Sequence, residues 1–125
     1  MSTRAGIIIT DGNSEAHFYK HSDGYPDGTM PMLERFINLV KTKKIRDNTG
    51  QAAGWLTIIG HEEYLSDNIG TTTLLSLEHN DVPKNSYNLW KVGAFEFTSD
   101  VKNHGDLEYI YIVNLESLTI EVEEV

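Results

Sequence analysis

A chain of 125 residues with 39% hydrophobic and 10% aromatic side chains carries enough apolar material for one folded domain and excludes a disordered polypeptide. The absence of cysteine excludes disulfides, thiolate metal sites and cysteine nucleophiles, and fits a reducing cytoplasm. A net charge of −9 argues against direct nucleic-acid binding through a phosphate-contacting face.

That charge is unevenly placed. In residues 1–62, Arg4, Lys20, Arg35, Lys41, Lys43, Lys44 and Arg46 cancel Asp11, Glu15, Asp23, Asp27, Glu34, Asp47 and Glu62, so the whole excess lies in residues 63–125. An acidic C-terminal half steers a basic partner and repels phosphate; on most surfaces such charge serves solubility alone. The apolar run Ile7-Ile8-Ile9 is too short for a signal peptide or a membrane span, so a membrane partner is not expected.

In chain order, Arg4 to Thr10 reads as a strand, with Ile7 and Ile9 on one face and Ile8 on the other, hence covered on both sides. Asp11-Gly12-Asn13 is a turn, and Glu15 to His21 resumes an extended pattern to complete a hairpin. Leu33, Phe36, Ile37 and Val40 recur at i, i+3, i+4 and i+7, one apolar stripe of a helix. Thr29 is the expected N-cap and Pro31 falls in the expected first turn.

Asp47 to Leu65 reads as a second helix, capped by Asp47 or Asn48, with Ala52, Ala53, Leu56 and Ile59 inside. Gly50, Gly54 and Gly60 weaken it by about 1 kcal/mol each against alanine. Residues 66–86 read as a long surface excursion. Leu89 to Phe97, Leu107 to Val113 and Leu118 to Glu123 alternate as strands, the last one apolar in and acidic out as an outer strand should be. The order ββ-αα-βββ predicts a single α+β domain over residues 1–125, a twisted antiparallel sheet with both helices on one face.

The densest polar and aromatic stretch is His17-Phe18-Tyr19-Lys20-His21-Ser22-Asp23-Gly24-Tyr25-Pro26-Asp27-Gly28, between a strand and a helix. Ordinary turns need far fewer donors, acceptors and rings. His17, Tyr19, His21, Asp23, Tyr25 and Asp27 are therefore the candidate ligand- or partner-binding residues. Among the aromatic residues Phe18, Tyr19, Tyr25, Trp55, Tyr64, Trp90 and Tyr111, most sit at core-compatible spacing. Tyr19 and Tyr25 are the two expected to be partly exposed.

No catalytic or metal signature completes itself. His17 and His21, four apart on a strand, stand about 13 Å apart at ~3.3 Å per residue and cannot share one ion. His61-Glu62-Glu63 lacks a third clear ligand, and His79 and His104 are isolated. No GxSxG or SxxK occurs. His21 with Asp23, and His104 with Asp106, are the pairs from which acid–base chemistry is conceivable, although i, i+2 pairs in turns more often satisfy the backbone. Asp106 with Glu108 forms an i, i+2 carboxylate pair common on acidic surfaces. Gly24-Tyr25-Pro26-Asp27-Gly28 leads into a helix N-terminus, where Asp27 competes with any anion. No catalytic residue, metal or cofactor is assigned.

Ser2-Thr3-Arg4-Ala5, the segment Tyr19-Lys20-His21-Ser22-Asp23-Gly24-Tyr25-Pro26 and the run Gly105-Asp106-Leu107-Glu108-Tyr109-Ile110-Tyr111 together resemble small accessory proteins encoded by bacteriophages and prophages. The likeness covers both ends of the chain and the first helix. It implies a viral protein at work in the cytoplasm of a bacterial host, acting by binding: blocking a host defence protein or sequestering a signalling nucleotide. It brings no catalytic residues with it. The expected function is thus a non-enzymatic binding protein whose partner is a host protein or a small nucleotide-like ligand, with homo-oligomerisation left open. The alternatives are a small hydrolase using His21, Asp23 or His104, and an acidic nucleic-acid mimic.

Overall fold

The computed structural model describes residues 3–21, 23–67 and 95–125. Strands β1 (Ala5–Thr10), β2 (Glu15–Lys20), β3 (Phe95–Thr98), β4 (Tyr109–Asn114) and β5 (Thr119–Glu124) form one sheet in the order β3-β2-β1-β4-β5. Helices α1 (Pro26–Lys41) and α2 (Thr49–Asp67) fall between β2 and β3 in the chain. The fold is α+β, as the element order predicts. No helix among the described residues is long and apolar enough to cross a membrane.

The isoleucine run occupies the middle of the sheet, beside β4, because both strands are apolar on both faces. Ile7 and Ile9 join Phe18, Leu33, Phe36, Leu56, Tyr111 and Val113 in the main core beneath both helices. Ile8 turns the other way, into a smaller cluster with Tyr19, Val101, Leu107 and Ile110. Burial of such side chains contributes roughly 1.5–3 kcal/mol each before entropy is counted.

The sheet is mixed where a wholly antiparallel one was expected. β1 pairs with β4 in parallel, from Ala5↔Tyr109 to Thr10↔Asn114, while β1–β2, β2–β3 and β4–β5 are antiparallel. Alternation of period two is the same whichever way a strand runs, so strand direction was not legible from the pattern. Leu107 is a second correction: it precedes β4 and packs with Ile8 on the side away from α1 and α2, not with Tyr109 and Tyr111.

Helix α1 begins three residues before the expected cap. Pro26 sits in its first turn and Tyr25 is the N-cap, with no side-chain cap bond. Thr29 is instead buried within the helix, its Oγ1 donating to the Asp23 carbonyl at 2.9 Å. The fixed φ of Pro26 starts a helix where its missing N–H costs nothing. Pro31 lies inside the helix on the exposed side.

Asn48 does cap α2, its Oδ1 accepting from the Gln51 amide at 2.9 Å. Asp11 supports the same end: its carboxylate accepts from the amides of Asn13, Ser14 and Thr49 at 2.9–3.0 Å. The excursion expected over residues 66–86 lies outside the described residues, apart from Ser66 and Asp67 at the end of α2, as does the strand from Leu89 up to Ala94.

Candidate functional site

The two sides of the sheet differ in kind. Helices cover one; on the other a strap, residues 99–108, crosses β1 and β2 and carries a single 3-10 turn, Val101–Asn103. Close approach is possible because Gly6 has no side chain: a Cβ there would lie 2.8 Å from the Val101 side chain. Strand register then places His17 opposite Thr98 and Tyr19 opposite Glu96.

His17 holds the strap down. Its Nδ1 accepts the Val101 amide at 3.0 Å, and its Nε2 lies 2.8 Å from Glu15 Oε1. Since the amide can only donate, Nδ1 is bare and Nε2–H donates to the carboxylate. Tyr19 lies under the strap as well. Its hydroxyl donates to Asp106 Oδ2 at 2.5 Å and accepts from Arg4 Nη1 at 3.3 Å. The His104 ring stacks on it at 4.5 Å and the His21 ring meets it edge-on at 4.6 Å.

His21 lies 3.5 Å from Arg4 through Nδ1 and 3.2 Å from Glu96 through Nε2, while His104 Nε2 meets Thr98 Oγ1 at 3.0 Å. Burial pushes the Tyr19 phenol up, helped by Asp106 and opposed by Arg4. The hydrogen bond from Tyr19 holds the Asp106 carboxyl below its ordinary value, with Arg4 and His104 adding to the effect.

The six predicted site residues therefore fall into two groups. His17 and Tyr19 are drawn into the structure, and Tyr19, expected to be partly exposed, is only 5% exposed. Burial wins because the strap, together with Glu15 and Arg4, supplies a partner for every polar atom that the ring and imidazole bring inside. His21 is half-buried beside them. Asp23 and Tyr25 stand exposed on the connection from β2 to α1, and Asp27 stands exposed in the first turn of α1.

That connection is pinned from within. The Gly24 amide donates to the Thr3 carbonyl at 3.0 Å, and the Gly24 carbonyl accepts from the Tyr111 hydroxyl at 2.6 Å. A Cβ on Gly24 would approach Ala5 Cβ to 2.6 Å. Asp23 has a φ of 55°, a left-handed conformation that Asp and Asn tolerate better than most residues. Tyr25 is 42% exposed, its ring close to Gly28.

The acid–base pairs conceived from sequence do not form in these contacts. His21 bonds Glu96 rather than Asp23, and His104 bonds Thr98 rather than Asp106. No group of three or more histidine, aspartate or glutamate side chains among the described residues is placed to hold a metal ion. Arg4, Glu96 and Asp106 complete the cluster and were missed as its members: the β1–β2 pairing brings Arg4 alongside, and the pairing of β2 with β3 and return of the strap bring Glu96 and Asp106 in across more than 70 residues of chain. Trp55 was misplaced too: it is 48% exposed. A helical wheel holds the signal, since Trp55 falls off the buried stripe of Ala52, Ala53, Leu56 and Ile59.

Comparison of the chain with protein-family models, curated proteins and solved structures finds no match.

Proposed function

We propose that the protein is a viral accessory protein that acts in the bacterial cytoplasm by binding a host factor, a defence protein or a signalling nucleotide, and not by turnover. The observation that carries this reading is the contrast between the two groups of site residues. Tyr19, His17, His21 and His104 bond Asp106, Val101, Glu15, Glu96 and Thr98, which leaves none of these four poised as a base beside a nucleophile among the described residues. Asp23 and Tyr25, by contrast, are presented outward on a connection, and Asp27 on the helix turn that follows it, with the backbone tied through Gly24 to Thr3 just before β1 and to Tyr111 of β4.

An exposed aromatic ring flanked by carboxylates on a pinned loop is how binding surfaces hold their anchors without losing entropy on capture. The acidic outer strand β5, where Glu121, Glu123 and Glu124 are exposed, supplies long-range attraction for a basic protein partner.

The test is affinity capture from host lysate with the wild-type chain and with the Tyr25→Ala, Asp27→Ala double variant, bound proteins and small molecules being identified together. Asp23 is left in place because alanine is strained at its positive φ. Loss of the partner at an unchanged melting temperature is expected. Full capture by the double variant would remove this loop from the function.

A further inference from the structure

We propose that the cleft on the outer side of α2 is a nucleotide-binding site, with the base on Trp55 and the phosphates on Arg46 and Lys44. The cleft measures about 370 Å³ and is lined by Lys44, Arg46, Gln51, Gly54, Trp55 and Ile58, within the range of about 300–1,000 Å³ that small-ligand sites occupy. It is separate from the 23–28 surface and deepens the binding reading by naming a ligand class.

Three observations converge on this ligand. The first is apolar. Gln51, Gly54, Trp55 and Ile58 are spaced i, i+3, i+4 and i+7, so they form one stripe of α2 on the side away from the core. Trp55 is 48% exposed and Ile58 55% exposed there. An indole face left in water is a platform for a planar ring, and base–aromatic stacking tolerates any base.

The second is the shape of the floor. Glycine weakens a helix interior relative to alanine, and the usual compensation is tight packing. Gly54 has none: a Cβ at that position meets nothing within 4 Å, and the same holds at Gly50 one turn earlier. What the missing side chain does provide is access to the helix backbone beside the indole, the close approach a flat ligand needs.

The third is charge. The chain carries ten basic residues against nineteen acidic ones, yet Lys41, Lys43, Lys44 and Arg46 fall within six residues at the α1–α2 connection. All four are exposed. Neither Lys44 nor Arg46 forms an ion pair among the described residues. Arg46 also borders a neighbouring cavity of about 400 Å³, where Lys41 and Lys43 stand with it but Asp47 and Glu116 line the wall as well. Those two carboxylates offset most of the positive charge there, whereas the Trp55 cleft has two cations and no carboxylate in its lining, which makes it the better seat for phosphate. A guanidinium and an ammonium beside an exposed indole match a ligand that is planar at one end and polyanionic at the other.

The test is calorimetric titration of the full chain with AMP, ATP and cyclic di-AMP, with adenosine and tripolyphosphate as the separate halves. At least one nucleotide is expected to bind, with each half roughly tenfold weaker or worse. Trp55→Ala and Arg46→Glu are each expected to weaken that binding about tenfold or more. Gly54→Leu should abolish it with no fall in melting temperature, because its side chain enters open space. The Tyr25→Ala, Asp27→Ala variant should bind nucleotide as the wild type does, which separates this site from the partner surface. Absence of heat with every nucleotide, tripolyphosphate binding as tightly as ATP, or unchanged affinity in Trp55→Ala would overturn the proposal.

Discussion

The Tyr111 hydroxyl donates to the Gly24 carbonyl at 2.6 Å, in the interior and across 87 residues of chain. Through this bond the second strand from the edge of the sheet fixes the backbone on which Asp23, Tyr25 and Asp27 are displayed. Thr29, in the same corner, donates to the Asp23 carbonyl. The loop's outward face is thus set by an inward bond.

Removing that bond is the first prediction. Tyr111→Phe keeps the ring but leaves a buried carbonyl short of its donor, so unfolding in urea is expected to show a loss of about 1–3 kcal/mol. Burial pushes the Tyr111 phenol up to about 12. A raised folded-state pKa stabilises fully below the unfolded value near 10 and is lost as pH climbs through 12. The wild type should therefore lose stability between about pH 10 and pH 12, and Tyr111→Phe should lose less over that window. Identical alkaline profiles would contradict this assignment.

Val101 gives the second. Its amide donates to His17 Nδ1 at 3.0 Å, and His17→Phe removes the acceptor while filling similar space. Amide hydrogen exchange at Val101 should accelerate by a factor that corresponds to about 1–3 kcal/mol of lost protection. Exchange in the centre of β1 should stay slow unless the strap supports the whole sheet.

At the opposite end of the sheet, Asp11 joins the β1–β2 turn to the start of α2. Backbone amides, that of Thr49 foremost and then those of Asn13 and Ser14, lower its pKa to about 2. A depressed carboxylate stabilises above its unfolded value near 4, and that contribution disappears as pH falls through 2. Asp11→Ala should melt lower than wild type at pH 7, and the gap should close between about pH 4 and pH 2. A gap of constant size in acid would show that the charge is not what matters.

Gly54 offers a prediction of opposite sign. With open space where its Cβ would lie, Gly54→Ala should stabilise the protein by up to about 1 kcal/mol through helix propensity alone. Thermal unfolding measures it directly, and a fall in melting temperature would mean that the backbone at this point is not free.

Much of the architecture was legible because it rests on local periodicity. Leu33, Phe36 and Val40 mark a helix face wherever the helix docks, and three isoleucines in a row mark a strand covered on both sides. The α1 boundary was harder to place, since Thr29 has the chemistry of a cap and was drawn inside by a carbonyl that only the folded loop supplies. In the candidate site, Tyr25 kept the exposure its loop composition implied, and Asp27 is exposed too, although in the first turn of α1. Tyr19 did not, because its partners Arg4 and Asp106 reach it through strand pairing and the return of the strap.

The amino-acid order alone determined what each segment becomes: its helical or extended period, its turns, and the acidic bias of the C-terminal half. Those properties arise from interactions within a few residues along the chain. Tertiary structure alone decided the parallel pairing of β1 with β4, the drawing of His17 and Tyr19 under the strap, and the gathering of Glu96 and Asp106 around them. Each of these depends on which distant surfaces meet, and a one-dimensional pattern holds no record of that.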